Sequence, residues 1–443
     1  MAESKKLKHV QGFEKLFAQI KPLMSSSEAY YESSRCLFCY DAPCTLACPT
    51  GIDIPLFIRQ INNGNLTGAA KTIYESNYLG NTCGKVCPTE VLCEGACVFT
   101  KLNIQAIDIG RLQNFATNEA ILTDQKFFNA ADFNGKSIAV IGAGPAGIAC
   151  ACELRSAGYN VDIYEVRSNP SGLALYGVAP YKITNNEALM EVDFLQKQFG
   201  FEIFYNKHIA SKKDLEKLEV KYDAVFLGIG LGKTADLKIK GEDKTNCVGA
   251  TEFIEQIKTK PIKQEIAKAV IVLGGGNTAM DAASESARLG TEKVIVAYRR
   301  SESEMRAYEF EFELAKVTGV SGMFNVAPIE IVGQNAAEGV RFIRTETVNG
   351  KLRNIPGSEF ILDCDFVIKA TGQQKHTSMI AAISGIDMDT SGRILINPNT
   401  GQTTNPKYFA GGDATNGGAE VVNAVEEGKI AGKGIHAFLS TSQ

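Results

Sequence analysis

The 443-residue sequence has no tryptophan, only four histidines, and no apolar run near the roughly 18 residues that a membrane-spanning helix needs. The histidines are His9, His208, His376 and His436. None stands in a recognisable catalytic motif, and no serine–histidine–aspartate set is indicated. Positive charge is not in excess: the net charge of −4 leaves no basic footprint for nucleic acid. Met1–Lys8 is charged and lacks the apolar stretch of a secretory signal, which argues against structural disulfides and leads us to expect a cytoplasmic protein. Low-complexity tracts are absent. Beyond residue 131 there is no Cys-x-x-Cys, so disulfide-reductase chemistry is not expected; Cys150 and Cys152 read as core packing on a helix.

Cysteine is abundant in one place. Eight of the twelve lie between residues 36 and 97, as Cys36-x2-Cys39-x4-Cys44-x3-Cys48-Pro49 and Cys83-x3-Cys87-Pro88-x4-Cys93-x3-Cys97. Two bunches with short spacings are a ligand pattern. Zinc is one reading, since four-cysteine sites use similar spacings. Iron–sulfur ligation fits better: three close cysteines, one remote cysteine and a proline directly after a cysteine approach the bacterial ferredoxin pattern, although x4 stands where that pattern has x2. Eight thiolates suffice for two [4Fe–4S] clusters. Around them, Phe13, Leu16, Phe17 and Ile20 recur at helical spacing before Pro22, and Ser25 to Glu28 reads as a helix start. Short amphipathic helices are expected from Ile54 to Ile61, near Leu66 to Tyr74, and over 108–122, with a linker from Asp124 to Asn134.

A glycine-rich strand–turn–helix then occurs twice. The strand Ser137 to Ile141 runs into Gly142-Ala143-Gly144-Pro145-Ala146-Gly147 and a helix. The first glycine permits the tight turn, the second lets a pyrophosphate approach, and the third lets helix pack on strand. The helix N-terminus offers free N–H groups to phosphate. The next strand ends in Glu165, 23 residues after Gly142 and placed to bind ribose hydroxyls. The second copy is Ala269 to Leu273 followed by Gly274-Gly275-Gly276-Asn277-Thr278-Ala279. The strand after it ends in Arg299-Arg300 instead of an acid, with Arg306 close behind. Arginines there suit a 2′-phosphate, so NADPH is favoured over NADH, although Glu302 and Glu304 are near enough to neutralise them.

The stretches RCLFCYDAPCTLACPTGIDIPLFI, LGNTCGKVCPTEVLCEGACV and IDIGRLQNFATNEA resemble the iron–sulfur region of dihydropyrimidine dehydrogenase, and the resemblance extends over about residues 28–440. It implies one cluster on Cys36, Cys39, Cys44 and Cys97 and another on Cys48, Cys87, Cys93 and Gln113, with Cys83 a spare buried thiol. The residues alone do not select Gln113 over Cys83, because a thiolate is the better iron ligand. It also implies that Ala370-Thr371-Gly372 marks the junction between dinucleotide domains, and that Gly412 and Asp413 hold the flavin's ribityl chain. Gly172, Leu173 and Lys182 fall where the family contacts FAD, with Ser171 in place of a glycine and Lys182 in place of an arginine.

The expected fold is α/β: a helical double-cluster domain over 1–130, then nested Rossmann-like domains, with FAD bound by 131–232 and 373–443 around an NAD(P) domain over 233–372. No catalytic acid–base pair stands out, and hydride transfer to a flavin requires none on this chain. The resemblance points to the NAD(P)H-oxidising subunit of a two-subunit enzyme. Its partner would be an FMN- and iron–sulfur-containing subunit that reduces uracil or thymine, because the sequence stops at Gln443 without the FMN barrel. The glutamate synthase small subunit and a ferredoxin:NADP oxidoreductase subunit share the plan. Cys87-Pro-Thr-Glu-Val-Leu-Cys93 and Asp53 to Ile58 favour the pyrimidine reading over glutamate synthase. A zinc-bound interaction module on a flavoprotein body is the alternative from a different class.

Overall fold

The computed structural model describes residues 16–260 and 266–441; Phe13 and His9 lie outside them. The chain forms two compact units. The larger comprises Ile20–Leu175, Lys182–Leu231 and Lys375–Gln443, and the smaller includes Tyr176–Tyr181 and Gly232–Gln374.

The larger unit begins with helices whose ends are written in the sequence. Ser25 and Glu28 form a reciprocal capping box on the helix Ser26–Ser34, satisfying backbone donors that would otherwise be orphaned. The helix Ile54–Asn62 starts at Asp53, whose carboxylate accepts from Leu56 N at 3.1 Å, and carries Pro55 in its first turn. It buries Ile54, Phe57, Ile58 and Ile61, one face at the helical period. Helices Leu66–Ser76 and Ile109–Leu122 pack against it, and Gly80–Val86 packs on Ile109–Leu122. Gly84 and Gly110 lack side chains where the last two cross: a Cβ on either would stand 2.8 Å from the other's carbonyl oxygen.

The same unit holds a five-stranded parallel sheet. Its strands are β1 Ser137–Ile141, β2 Asn160–Tyr164, β3 Glu202–Phe204, β4 Ala224–Leu227 and β14 Tyr408–Ala410, in the order β14-β4-β1-β2-β3. β1 and β4 are buried along most of their length, as expected for parallel strands covered on both faces. Strand order reverses between β1 and β4, which opens a crevice at their carboxyl ends. The helix Pro145–Ser156 packs along the long helix Val421–Thr441. Gly428 lies so close to Ala146 O that a Cβ would collide with it.

The smaller unit repeats the parallel plan with β5 Cys247–Gly249, β6 Ala269–Leu273, β7 Lys293–Ala297, β8 Ser321–Met323 and β13 Phe366–Lys369, ordered β5-β13-β6-β7-β8. It adds an antiparallel sheet that the sequence reading does not anticipate: β9 Val326–Val332, β10 Gly339–Val348, β11 Lys351–Asn354 and β12 Phe360–Asp363. Asn349-Gly350, both at positive φ, turns β10 into β11 in the manner of a two-residue hairpin.

Candidate functional site

Cys36, Cys39, Cys44 and Cys97 line one cavity, walled by Ile54, Ile58, Phe99 and Ile107. Cys36 follows the helix Ser26–Ser34, Cys44 sits in the helical turn Pro43–Leu46, and Cys97 precedes the turn Val98–Lys101. Burial pushes the Cys36 thiol up, and the Cys44 thiol up to about 11. Without a cation these thiols stay neutral; a ligated iron displaces their protons.

Cys48, Cys83, Cys87, Cys93 and Gln113 line a second cavity, together with Asn77, Ile52 and Val422. Gln113 is 6% exposed. Its Nε2 donates to Gly80 O at 2.6 Å, which leaves Oε1 as the free end of the amide. A hydrogen bond with Cys83, then burial, holds the Cys87 thiol well above its ordinary range, and burial does the same for Cys93. Lys21 Nζ reaches Cys87 O and Thr89 Oγ1, each at 2.8 Å, putting a cation beside this set.

Both donor sets suit iron–sulfur clusters. They are rich in sulfur and walled by apolar side chains, and their members are spread around a cavity, as ligands to the separate corners of a cluster must be. Among the described residues no three His, Cys, Asp or Glu side chains converge as they would on a single ion.

The first glycine loop follows β1. Gly142 has φ +103°, and a Cβ there would collide with Gly228 O; Gly147 is pressed against Gly142 O. Gly144, by contrast, faces space, its nearest neighbour being Gly172 Cα at 3.9 Å. That is the division of labour expected of a pyrophosphate loop. Pro145 and Ala146 open the helix behind it. The Glu165 carboxylate, nearly buried, accepts from Ala143 N at 2.8 Å and from Arg167 N at 2.7 Å, so it braces the loop. Gly172 and Leu173 lie beside the loop, tied by Ser171 N donating to Ala143 O at 2.8 Å, and Lys182 is buried. The return segment meets the same place: a Cβ on Gly412 would stand 3.2 Å from Ala146 Cβ. Gly412 N donates to Glu427 at 2.6 Å. Asp413 accepts from Ala419 N at 3.2 Å, and burial raises its carboxyl above the ordinary range.

In the smaller unit Gly274 abuts Ala370 O, while Gly276 faces open space and is followed by the helix Asn277–Arg288, with Thr278 and Ala279 in its first turn. Asn277 Oδ1 accepts from Tyr308 N at 3.0 Å. Gly275 O accepts from Arg306 N at 3.0 Å and Ala307 N at 2.9 Å, which ties the arginine segment to the loop. Arg299 and Arg306 are exposed and Arg300 half-buried. Among the described residues none of the three guanidiniums is engaged in an ion pair or hydrogen bond. Glu304 is occupied elsewhere, accepting from Ser301 N at 3.2 Å and Ser301 Oγ at 2.8 Å. Thr371 and Gly372 are exposed at the end of β13. There the two crossing segments pair, Gly232 N with Gln374 O and Gln374 N with Lys233 O, both at 2.8 Å.

Sequence reading missed Asn77, Lys21 and Glu427. An isolated asparagine, lysine or glutamate carries no spacing signal.

Comparison with known proteins agrees with this arrangement. Residues 13–125 match the family described as dihydropyrimidine dehydrogenase domain II, 4Fe-4S cluster, and residues 136–428 match the pyridine nucleotide-disulphide oxidoreductase family. The glutamate synthase [NADPH] small chain of Escherichia coli K12 is 33% identical over 445 residues, covering 96% of this chain and 94% of its own. The NAD-dependent dihydropyrimidine dehydrogenase subunit PreT of the same organism is 33% identical over 422 residues, covering 95% and 97%. Among solved structures, Mycobacterium tuberculosis FprA in complex with NADPH shares the fold at 19% identity and a TM-score of 0.57, covering 69% of this chain and 85% of its own. The chain therefore belongs to the pyridine nucleotide-disulphide oxidoreductases that carry a dihydropyrimidine dehydrogenase-type 4Fe–4S domain, and it is an NAD(P)-dependent, FAD-containing iron–sulfur oxidoreductase subunit.

Proposed function

We propose that this chain oxidises NADPH and delivers the electrons to a separate FMN- and iron–sulfur-containing subunit that reduces uracil or thymine to the 5,6-dihydropyrimidine. The observation that carries the reading is that two thiol-lined cavities share one unit with the Gly142 loop, and that Val422, on the long helix after Gly412 and Asp413, lines the second. A flavin takes up the two electrons of a hydride and releases them singly to [4Fe–4S] clusters.

The chain's own residues hold and separate these groups. Cys36, Cys39, Cys44 and Cys97 ligate one cluster; Cys48, Cys87, Cys93 and Gln113 ligate the other, with Cys83 a hydrogen-bond partner of Cys87. The amide lock on Gly80 O supports Gln113 in this role. Glu165, Gly172, Leu173, Lys182, Gly412 and Asp413 hold the FAD. Gly274, Gly276, Asn277, Thr278 and Ala279 hold the nicotinamide dinucleotide, and Ala370 to Gly372 close its domain. The free guanidiniums of Arg299, Arg300 and Arg306 support a 2′-phosphate there. The first cavity lies behind exposed Leu37 and near Tyr40, which is 99% exposed, and this apolar face supports transfer to a partner on that side.

A second reading delivers the electrons to a glutamate synthase large chain, and the equal identity to that enzyme's small chain favours it. The test is anaerobic NADPH and NADH oxidation by this chain alone and with the candidate pyrimidine-reducing partner. Uracil-dependent turnover only with the partner, faster with NADPH, is expected. Turnover only with 2-oxoglutarate, glutamine and a glutamate synthase large chain would overturn the pyrimidine assignment. Loss of a cluster in Cys83→Ala, with both retained in Gln113→Ala, would overturn the ligand set.

A further inference from the structure

Asn77 is 1% exposed and lines the second cavity beside Cys48, Cys83, Cys87, Cys93 and Gln113. Its Oδ1 is committed to the backbone, accepting from Leu79 N at 3.0 Å. Its Nδ2 is buried and has no hydrogen-bond partner among the described residues. Leaving a buried amide N–H₂ unsatisfied is costly, so such groups nearly always face a partner that is not yet counted. Gln113 and Thr89 also line the cavity, but neither oxygen bonds Nδ2; the rest of the lining is thiols and apolar groups, so the missing acceptor is anionic sulfur.

We infer that Asn77 Nδ2 donates a hydrogen bond to a sulfide or cysteinyl sulfur of the group held in the second cavity, and thereby sets its reduction potential. The inference rests on the reading that this cavity holds a [4Fe–4S] cluster. A donor stabilises the reduced state more than the oxidised state, because the reduced cluster carries one more negative charge on its sulfurs. Asn77 is thus a positioning and tuning residue, held in orientation by its bond to Leu79 N. It ligates no iron.

The test is an EPR-monitored redox titration of the anaerobically purified protein with both clusters, as wild type, Asn77→Asp and Asn77→Ala. Asn77→Asp keeps the acceptor for Leu79 N and removes the donor. Both variants should lower the midpoint of one cluster and leave the other in place. The expected change is roughly tenfold in the reduced-to-oxidised ratio at fixed potential, which is about 59 mV for one electron. Variants with full iron content and both midpoints unmoved would overturn the inference, as would equal shifts of both clusters. If the variants fail to assemble, pulsed ENDOR on the reduced wild type in H₂O and D₂O, with asparagine ¹⁵N-labelled at the amide, decides instead. An exchangeable proton and a labelled-nitrogen coupling support the donor, and their absence refutes it. A wild type showing fewer than two cluster signals would remove the underlying reading, which is a different failure from unmoved midpoints.

Discussion

Glu191 offers a prediction that can be worked through from geometry. It lies on the helix Asn185–Phe199 of the flavin-type domain and is fully buried. Its carboxyl accepts from Asn81 N at 2.6 Å, Thr82 N at 2.8 Å and Tyr74 Oη at 3.2 Å. The first two are orphan donors at the start of Gly80–Val86, the helix that carries Cys83 and leads into Cys87. Burial raises the carboxyl from 4.5 to about 7, against the pull of these hydrogen bonds. At about 1.36 kcal/mol per pKa unit, the protonated form holds about 3 kcal/mol more folding stability than the ionised one. Because the folded-state value lies above the unfolded one, that contribution is whole below pH 4.5, declines as pH rises, and is gone above about 7. Glu191→Gln cannot ionise. Its stability relative to wild type should therefore improve by about 3 kcal/mol between pH 5 and 8, a swing of roughly 3–6 °C in thermal midpoint for a unit of a few hundred residues. Differential scanning fluorimetry of the loaded protein across that range measures it. Parallel curves for wild type and Glu191→Gln would refute the reasoning.

Two further outcomes follow from backbone and packing. Ser171 is a buried non-glycine residue at φ +80°, so Ser171→Gly should raise stability by about 1 kcal/mol with FAD content unchanged, read as a higher thermal midpoint. Gly428→Val drives a side chain into Ala146 O at the head of the Gly142 helix; it should cost about 3 kcal/mol or more and reduce bound FAD per chain, measured by flavin absorbance against protein.

Much of this arrangement is legible in the sequence, where a local rule and a long-range need coincide. Asp53 and Pro55 start a helix whose apolar residues repeat at the helical period, and the structure has it at Ile54–Asn62. Both glycine loops follow buried strands and open helices, because glycine at Gly142 and Gly274 is required by a neighbouring carbonyl and not merely tolerated. The antiparallel sheet β9–β12 is not legible in the same way: Asn349-Gly350 marks one hairpin, but the pairing of β10 with β9 and with β12 carries no comparable local signal. Composition alone places Glu302 and Glu304 near the arginines without saying what they bond. Glu304 turns back to cap its own turn through Ser301, a three-residue geometry that only coordinates reveal. Asn77 was illegible for a different reason: its importance comes from what it faces, and no neighbour in sequence encodes that.

The segment from Asp124 to Asn134 reads in sequence as a linker, and the structure gives it another character. It has no helix or strand, yet Gln198 Oε1 accepts from both Phe127 N at 2.9 Å and Phe128 N at 3.1 Å, while Gln198 Nε2 donates to Gln125 O at 2.7 Å. Phe128 stacks on Phe199 with centroids 4.8 Å apart and meets Tyr78 edge-on; Phe127 packs against Tyr74 and Phe194. Tyr74 and Tyr78 belong to the cysteine-bearing region, and Phe194 and Phe199 to the flavin-type domain, so the segment is a strap clamped between them within one unit. An electron path needs that rigidity, since a free tether would let the distance between flavin and cluster sites drift. Gln198→Ala removes three hydrogen bonds at about 0.5–1.5 kcal/mol each, and Phe128→Ala deletes a half-buried ring for about 3 kcal/mol. In limited proteolysis the wild type should resist cleavage between residues 123 and 135, whereas each variant should be cut there first, releasing the cysteine-rich fragment. Equal cleavage of wild type and variants at this segment would mean that it is a passive connector, and that the two regions are held together without it, by Glu191, the Lys85–Glu187 ion pair, the Tyr78–Glu153 hydrogen bond and the helix contacts.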